Sequence, residues 1–144
     1  MIQFFQKIFQ KSSFQVYTDG SQKKDWGSWA FVILKNNKII YENSGRKRHA
    51  SSNQMEFQAA LNAIKFLPSG AYAELFTDSR ILIRTVKGEV RPKAFENLTH
   101  ELNVLLSDRK ISWHWVKAHS GNPFNERCDE LCIKARETKA LSPL

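Results

Sequence analysis

The amino-acid sequence predicts an α/β domain, a mixed five-stranded sheet with strands 1–3 antiparallel, strands 4–5 parallel, and helices packed on its faces. Three observations predict it. Apolar runs joined by short turns occupy residues 14–43. At residue 51 the apolar spacing lengthens to the period of a helix. Two later strand-like runs are each reached through helical segments, and such crossovers deliver a strand parallel to its neighbour. A length of 144 residues fits one domain with one apolar core, against a prior of roughly 100–200 residues per domain.

The elements follow in order. Phe14–Thr18 reads as the first strand, running into Asp19-Gly20-Ser21. Trp29–Leu34 is strongly apolar, and Asn36-Asn37 marks a turn before Lys38–Asn43, so these three runs form a meander. The basic stretch Arg46–His49 follows. Ser51, Ser52 and Asn53 are good N-cap residues, with Gln54 and Glu56 placed as capping-box partners. Met55, Ala59, Ala60, Ala63, Ile64 and Leu67 make a helical stripe that stops at Pro68-Ser69-Gly70. Ala71–Thr77 is the fourth strand, and a short helix runs from Asp78-Ser79 to about Val86 before Gly88 and Pro92. Ala94–Leu106 reads as helix, Ile111–Val116 as the fifth strand, and Lys117–Phe124 as a loop. Asn125 is expected to cap a last helix ending near Lys139.

The domain is expected over residues 14–139. Residues 1–13 form an N-terminal extension in which Phe5, Ile8 and Phe9 make a short apolar stripe beside Lys7 and Lys11, and residues 140–144 form a tail. No stretch approaches the ~20 uninterrupted apolar residues of a membrane span, so no membrane association is expected. Lys and Arg number 22 against 14 Asp and Glu, a net charge of +8 that favours polyanionic partners, nucleic acid above all. Cys128 and Cys132 stand four apart on one helix face with Leu131 and Ala135, a poor geometry for a disulfide. Two buried free thiols in a reducing compartment are expected, hence a cytoplasmic location.

Four carboxylates fall at special places. Asp19 lies in or at the end of the first strand, Glu56 early in the first long helix on its sheet-facing side, Asp78 at the end of the fourth strand, and Asp129 early in the last helix. Acids at neighbouring strand ends and helix starts can converge, where mutual repulsion raises their pKa values. A divalent, oxygen-seeking cation relieves that repulsion, and Mg²⁺ suits carboxylates, waters and a phosphate. Each acid alone also reads as a helix cap or a dipole partner.

Four blocks of this sequence resemble type 1 ribonuclease H: Tyr17–Ser21 (YTDGS), Asn53–Glu56 (NQME), Phe76–Ser79 (FTDS) and Trp115–Leu131 (WVKAHSGNPFNERCDEL). Order and spacing agree over about Phe14–Arg136, and the last block is long and distinctive. The resemblance implies a ribonuclease H-like fold with helices on both faces, and hydrolysis of the RNA strand of an RNA/DNA hybrid. It implies that Asp19, Glu56, Asp78 and Asp129 bind two Mg²⁺ ions during catalysis, with Mn²⁺ as a substitute, and that His119 is a mobile-loop histidine that moves a proton or releases product. By resemblance Asp19 bridges the ions, and the products carry 5′-phosphate and 3′-hydroxyl ends. Reading the 2′-hydroxyl falls to Glu56, Ser52 and the backbone near Gly20, Ser21 and Asn53. Ser51 and Ser52, at a helix start, suit a phosphate of the DNA strand.

The chain departs from the family in three places. The glycine-rich turn after Asp-Gly-Ser becomes the shorter, basic Gln22–Trp26. His49 stands where the family often has arginine. The long-form basic protrusion is missing, leaving Arg80, Arg84, Lys87, Arg91 and Lys93 as either a plainer grip or a solvated face. The initial Met1 and the completed last helix favour a stand-alone enzyme, and a monomer with no obligate protein partner is expected. The alternatives are a domain excised from a reverse transcriptase and a non-catalytic hybrid-binding module, the latter predicting erosion of at least one acid.

Overall fold

The computed structural model describes residues 13–138. The apolar stripe expected at Phe5, Ile8 and Phe9 and the tail 140–144 lie outside the described residues. In chain order come β1 (Phe14–Lys23), β2 (Trp26–Lys35), β3 (Lys38–Arg48), α1 (Ser52–Phe66), β4 (Tyr72–Thr77), α2 (Arg80–Val86), a 3₁₀ turn (Lys93–Phe95), α3 (Glu96–Leu106), β5 (Lys110–Trp115) and α4 (Pro123–Glu137). The strands form one sheet in the order β3-β2-β1-β4-β5. β1–β2 and β2–β3 pair antiparallel, and β1–β4 and β4–β5 pair parallel, as the helical crossovers require.

Side-chain alternation divides the sheet between two cores. Phe31 and Ile33 of β2, with Val16 and Leu75, face Phe57, Leu61 and Ile64 of α1, Leu82 of α2 and Leu102 of α3. On the opposite face Ala30, Val32 and Leu34 pack against Cys128 and Cys132 of α4. Each fully buried side chain of this size contributes about 2 kcal/mol relative to exposure. The thiols are free and buried, as the helical spacing predicts, and burial pushes both well above the usual thiol range, which makes them inert.

Several boundaries differ from the sequence expectation. β1 continues through Asp19-Gly20-Ser21 to Lys23, because these residues pair with β2 down to Lys23↔Trp26. The turn is therefore Lys24-Asp25, with Lys24 at φ 55°. The basic stretch Arg46–Arg48 belongs to β3 for the same reason, each residue having a partner on β2. Asn36 and Asn37 both take positive φ, the geometry of a two-residue hairpin turn. The helix expected from Ala94 opens as a 3₁₀ turn and becomes α-helical at Glu96. α4 is capped by Asn122, whose side chain accepts from the Phe124 and Asn125 amides, with Pro123 in the first turn; Asn125 itself is buried.

Candidate active site

Strand register and one glycine assemble the site. β1 and β4 are parallel neighbours with Tyr17 opposite Phe76, so two residues further on Asp19 comes beside Asp78, just past the end of β4. α1 crosses β1 directly over Gly20. A Cβ there would lie 2.2 Å from the Glu56 amide nitrogen and 2.5 Å from the Met55 carbonyl carbon. Only a glycine lets the helix approach this closely. Ser51 caps α1 by accepting from the Gln54 amide at 3.1 Å, which places Glu56 one turn in, pointing at the sheet.

One carboxylate oxygen from each of Asp19, Glu56 and Asp78 lies within 4.8 Å of the others. Asp19 and Glu56 are buried, at 8% and 6% exposure. Burial, then the charges of Asp78 and Asp129, push the Asp19 carboxyl from 3.8 up to about 7, although the Gly20 amide donates to its Oδ1 at 3.0 Å. Burial and the neighbouring Asp19 and Asp78 likewise hold Glu56 well above the usual carboxylate range. Glu56 Oε1 is buried without a hydrogen-bond partner. A buried acceptor beside two further acids is costly unless a proton or a cation joins it. The donor set is all carboxylate oxygen, so these residues fit a hard divalent cation.

The cluster opens into a cleft of about 480 Å³. Besides Glu56 and Asp78, it is lined by Gly20, Ser52 and Asn53 from β1 and the α1 start, Ser79, Arg80 and Ile81 from the α2 start, and Trp115 and Ala118 from the end of β5 and the loop after it. Ser79 is fixed twice, donating its amide to Thr77 Oγ1 at 3.0 Å and capping α2 through the Leu82 amide at 3.1 Å. Trp115 Nε1 donates to the Asp78 carbonyl at 3.2 Å, and the Arg80 guanidinium stacks 4.3 Å above the indole.

A fold of this order, with acids at these strand ends, has known relatives. The family model for RNase H matches residues 11–137. The chain belongs to the ribonuclease H family. It is 34% identical over 140 residues to a ribonuclease H of Bradyrhizobium diazoefficiens, covering 84% of this chain and 90% of that one. Against a ribonuclease H of Hahella chejuensis it is 36% identical over 136 residues, covering 81% and 88%. In fold it is similar to RNase H1 of Halobacterium salinarum, with TM-score 0.75 at 20% identity over 87% of this chain and 98% of that one. LC11-RNase H1, solved in complex with an RNA/DNA hybrid, superposes with TM-score 0.70 at 16% identity over 87% and 100%. As a ribonuclease H family member the chain is an enzyme, a hydrolase and nuclease.

The other residues singled out from the ribonuclease H resemblance fall at varied distances from the cluster. Asp129, half-buried on α4, lies outside the tight group of three, yet its charge adds to the rise at Asp19. His119 is exposed in the loop from β5 to α4 at φ 54°, and Ala118 of that loop lines the cleft. Gly20, Ser52, Asn53 and Arg80 line the cleft. Ser51 spends its hydroxyl on the α1 cap. The Ser21 hydroxyl accepts from Arg136 of α4. Arg84 pairs with Glu89 at 3.4 Å, and Lys87 closes α2. Trp115 is a cleft residue that the sequence motifs do not single out as part of the site, and strand register places it there, since parallel β4 and β5 bring Thr77 and Trp115 to the same sheet end.

Among the described residues no helix is long and apolar enough to cross a membrane.

Proposed function

We propose that this ribonuclease H is an endonuclease that hydrolyses the RNA strand of RNA/DNA hybrids, leaving 5′-phosphate and 3′-hydroxyl ends. The observation that carries the proposal is the trio of carboxylates from β1, α1 and the end of β4, with its partnerless Glu56 oxygen at the base of a cleft. Asp19, Glu56, Asp78 and Asp129 would hold two Mg²⁺ ions, with Mn²⁺ as a substitute. Such ions, when bound, acidify the attacking water and stabilise the leaving 3′ oxygen.

The chain's own residues orient the substrate. Gly20 lets α1 close onto β1, which sets Glu56 beside Asp19 at the cleft where the strand to be cut is held. Ser52 and Asn53, at the α1 start, face the same opening and are the groups that read a 2′-hydroxyl, with Glu56 beneath as acceptor. The α1 N-terminus presents unbonded amides and a positive dipole end, suited to a phosphate of the DNA strand. His119, on its exposed loop beside the cleft residue Ala118, carries a proton between the cleft and solvent. The catalytic unit is residues 14–139, working as a monomer in the reducing cytoplasm that its buried thiols suit.

The test is cleavage of end-labelled RNA/DNA hybrid, with RNA/RNA and DNA/DNA duplexes beside it, in Mg²⁺, Mn²⁺ and EDTA. Metal-dependent cutting of RNA in the hybrid only, absent in Asp78→Asn, is the expected result. Hybrid binding without cutting in either metal would reject the assignment in favour of a recognition module.

A further inference from the structure

A nucleic-acid duplex offers many phosphates beyond the one at the carboxylates, and the protein carries a second cationic surface that the cleft does not use. Lys23, Lys24, Arg46 and Arg48 surround Trp26 at the far end of the β1–β2–β3 meander. Register brings them together: Lys23 and Arg48 flank Trp26 from either side, and Arg46 lies opposite Ser28. The Arg46 guanidinium sits 4.1 Å above the Trp26 ring and that of Arg48 lies 5.6 Å from it. The turn that carries Lys24 is tied down, because the His49 amide donates to the Asp25 carbonyl at 2.6 Å.

Asp25 is the one acid in these segments. None of the four cations joins an ion pair among the described residues, whereas Lys65, Arg84, Arg109 and Arg127 all do. The residues outside 13–138 contain no Asp or Glu to supply a side-chain partner. Arg46 has one structural task, donating to the Arg136 carbonyl at the end of α4 at 3.5 Å, and a guanidinium has donors to spare. Crowding like charges on one sheet end opposes folding, so such a cluster points to a polyanion. Arginine stacked on an indole turns its N–H edge outward, the geometry that takes a phosphate with two hydrogen bonds.

Placement names the polyanion. Asp19, Ser21 and Lys23 alternate onto one face of β1, and four residues of strand span about 13 Å. The patch thus continues the line of the strand that carries Asp19. We propose that Lys23, Lys24, Arg46 and Arg48, anchored on Trp26, grip the sugar-phosphate backbone of the hybrid where it runs past the cleft. The proposal rests on the cleft being the hybrid site, and it gives a chain without the basic protrusion a second hold.

Fluorescence anisotropy of the full chain in EDTA tests it, using an RNA/DNA hybrid of about 18 base pairs over a range of salt. Arg46→Gln with Arg48→Gln weakens binding about tenfold and lowers the salt slope by about 2, one for each phosphate no longer neutralised. Lys23→Gln with Lys24→Gln, at an exposed turn where folding is not at stake, acts in the same direction. Trp26→Leu keeps every charge and gives a smaller loss by releasing the guanidiniums. Lys65→Gln, at a cation outside the patch that pairs with Glu101, is the control and leaves affinity and slope unchanged. Unchanged affinity and slope in the patch variants would overturn the proposal and assign the patch to an acidic protein or to solvent. An equal loss in the control would overturn it as well. Cleavage in Mg²⁺ reads separately: a wild type that binds the hybrid through the patch but cuts nothing removes the proposed activity and leaves this grip standing.

Discussion

Replacing Asp19 with Asn is expected to make the metal-free protein more stable at neutral pH, although it removes cleavage. The Asp19 carboxyl is held at about 7, against 3.8 ordinarily, by burial and by the charges of Asp78 and Asp129. Between those values the folded protein keeps a proton that the unfolded chain releases. Stability contributed by this group is therefore full below about pH 4 and is lost as pH rises toward 7. The whole interval corresponds to roughly 4 kcal/mol at about 1.4 kcal/mol per pH unit. Water entering the open cleft relaxes part of the penalty, so a gain of about 2 kcal/mol is expected for the neutral, isosteric amide. Thermal unfolding followed by circular dichroism in EDTA at pH 8 should show Asp19→Asn melting about 6 °C higher, at roughly 3 °C per kcal/mol for a domain of this size. At pH 4 the gap should close. Saturating Mg²⁺ should raise the wild-type midpoint more than the variant's, narrowing the gap from the other side. A variant no more stable than wild type at pH 8, or a gap that widens as pH falls, would refute the electrostatic account of the cluster.

Gly20→Ala should cost about 2–3 kcal/mol in urea unfolding and depress kcat sharply, since its methyl group would push α1, and Glu56 with it, away from β1. His119→Ala should slow turnover by about 10²-fold without abolishing it, read as kcat on a labelled hybrid; unchanged turnover removes the proton-carrying role. Glu42 accepts two hydrogen bonds from Arg127, at 2.7 and 3.0 Å, which hold its carboxyl below the usual range. Glu42→Gln should therefore lose about 1 kcal/mol at pH 7, an advantage of the wild type that fades as pH falls below about 4, measured by urea titration at the two pH values.

Most of the fold was legible because its signals are local. The period change at Ser51, the Asn36-Asn37 turn and the helical crossovers to β4 and β5 each reside in a few adjacent residues. The misplaced boundaries share one cause. Asp19-Gly20-Ser21 and Arg46–Arg48 have the composition of a turn and a loop, and they become strand because β2 supplies partners for both. That pairing is a tertiary fact, absent from either segment alone. Asn125 looked like a cap for the same reason that Asn122 is one, and Pro123 decides between them by fitting the first turn. The carboxylates stood out in the sequence as acids at strand ends and a helix start. Their convergence needed the β1–β4 register and the bare backbone at Gly20.

The packing that assembles the cluster also makes it a liability. α1 lies on Gly20 because Met55, Ala59, Ala60 and Ala63 bury their faces against the sheet, and that burial carries Glu56 in with them. Core burial of Met55, Phe57, Leu61 and Ile64 on the same helix, at about 2 kcal/mol each, outweighs the few kcal/mol by which three adjacent acids oppose the fold. The helix therefore stays docked whether or not the charges are neutralised, and Glu56 Oε1 is left without a partner. A site built this way is preorganised for a cation: little rearrangement is required, and the relief of repulsion adds to the binding. The same balance predicts the order of failure on raising pH in EDTA. The cluster should loosen first, at the α1 N-terminus, where Ser51 and Ser52 are exposed and one hydroxyl cap holds the helix start. Hydrogen exchange at the Met55 and Glu56 amides should accelerate between about pH 6 and 8 beyond the intrinsic rate, while the Ala63 and Ile64 amides keep their protection. Uniform acceleration along α1 would mean that the carboxylates strain the whole helix rather than its first turn.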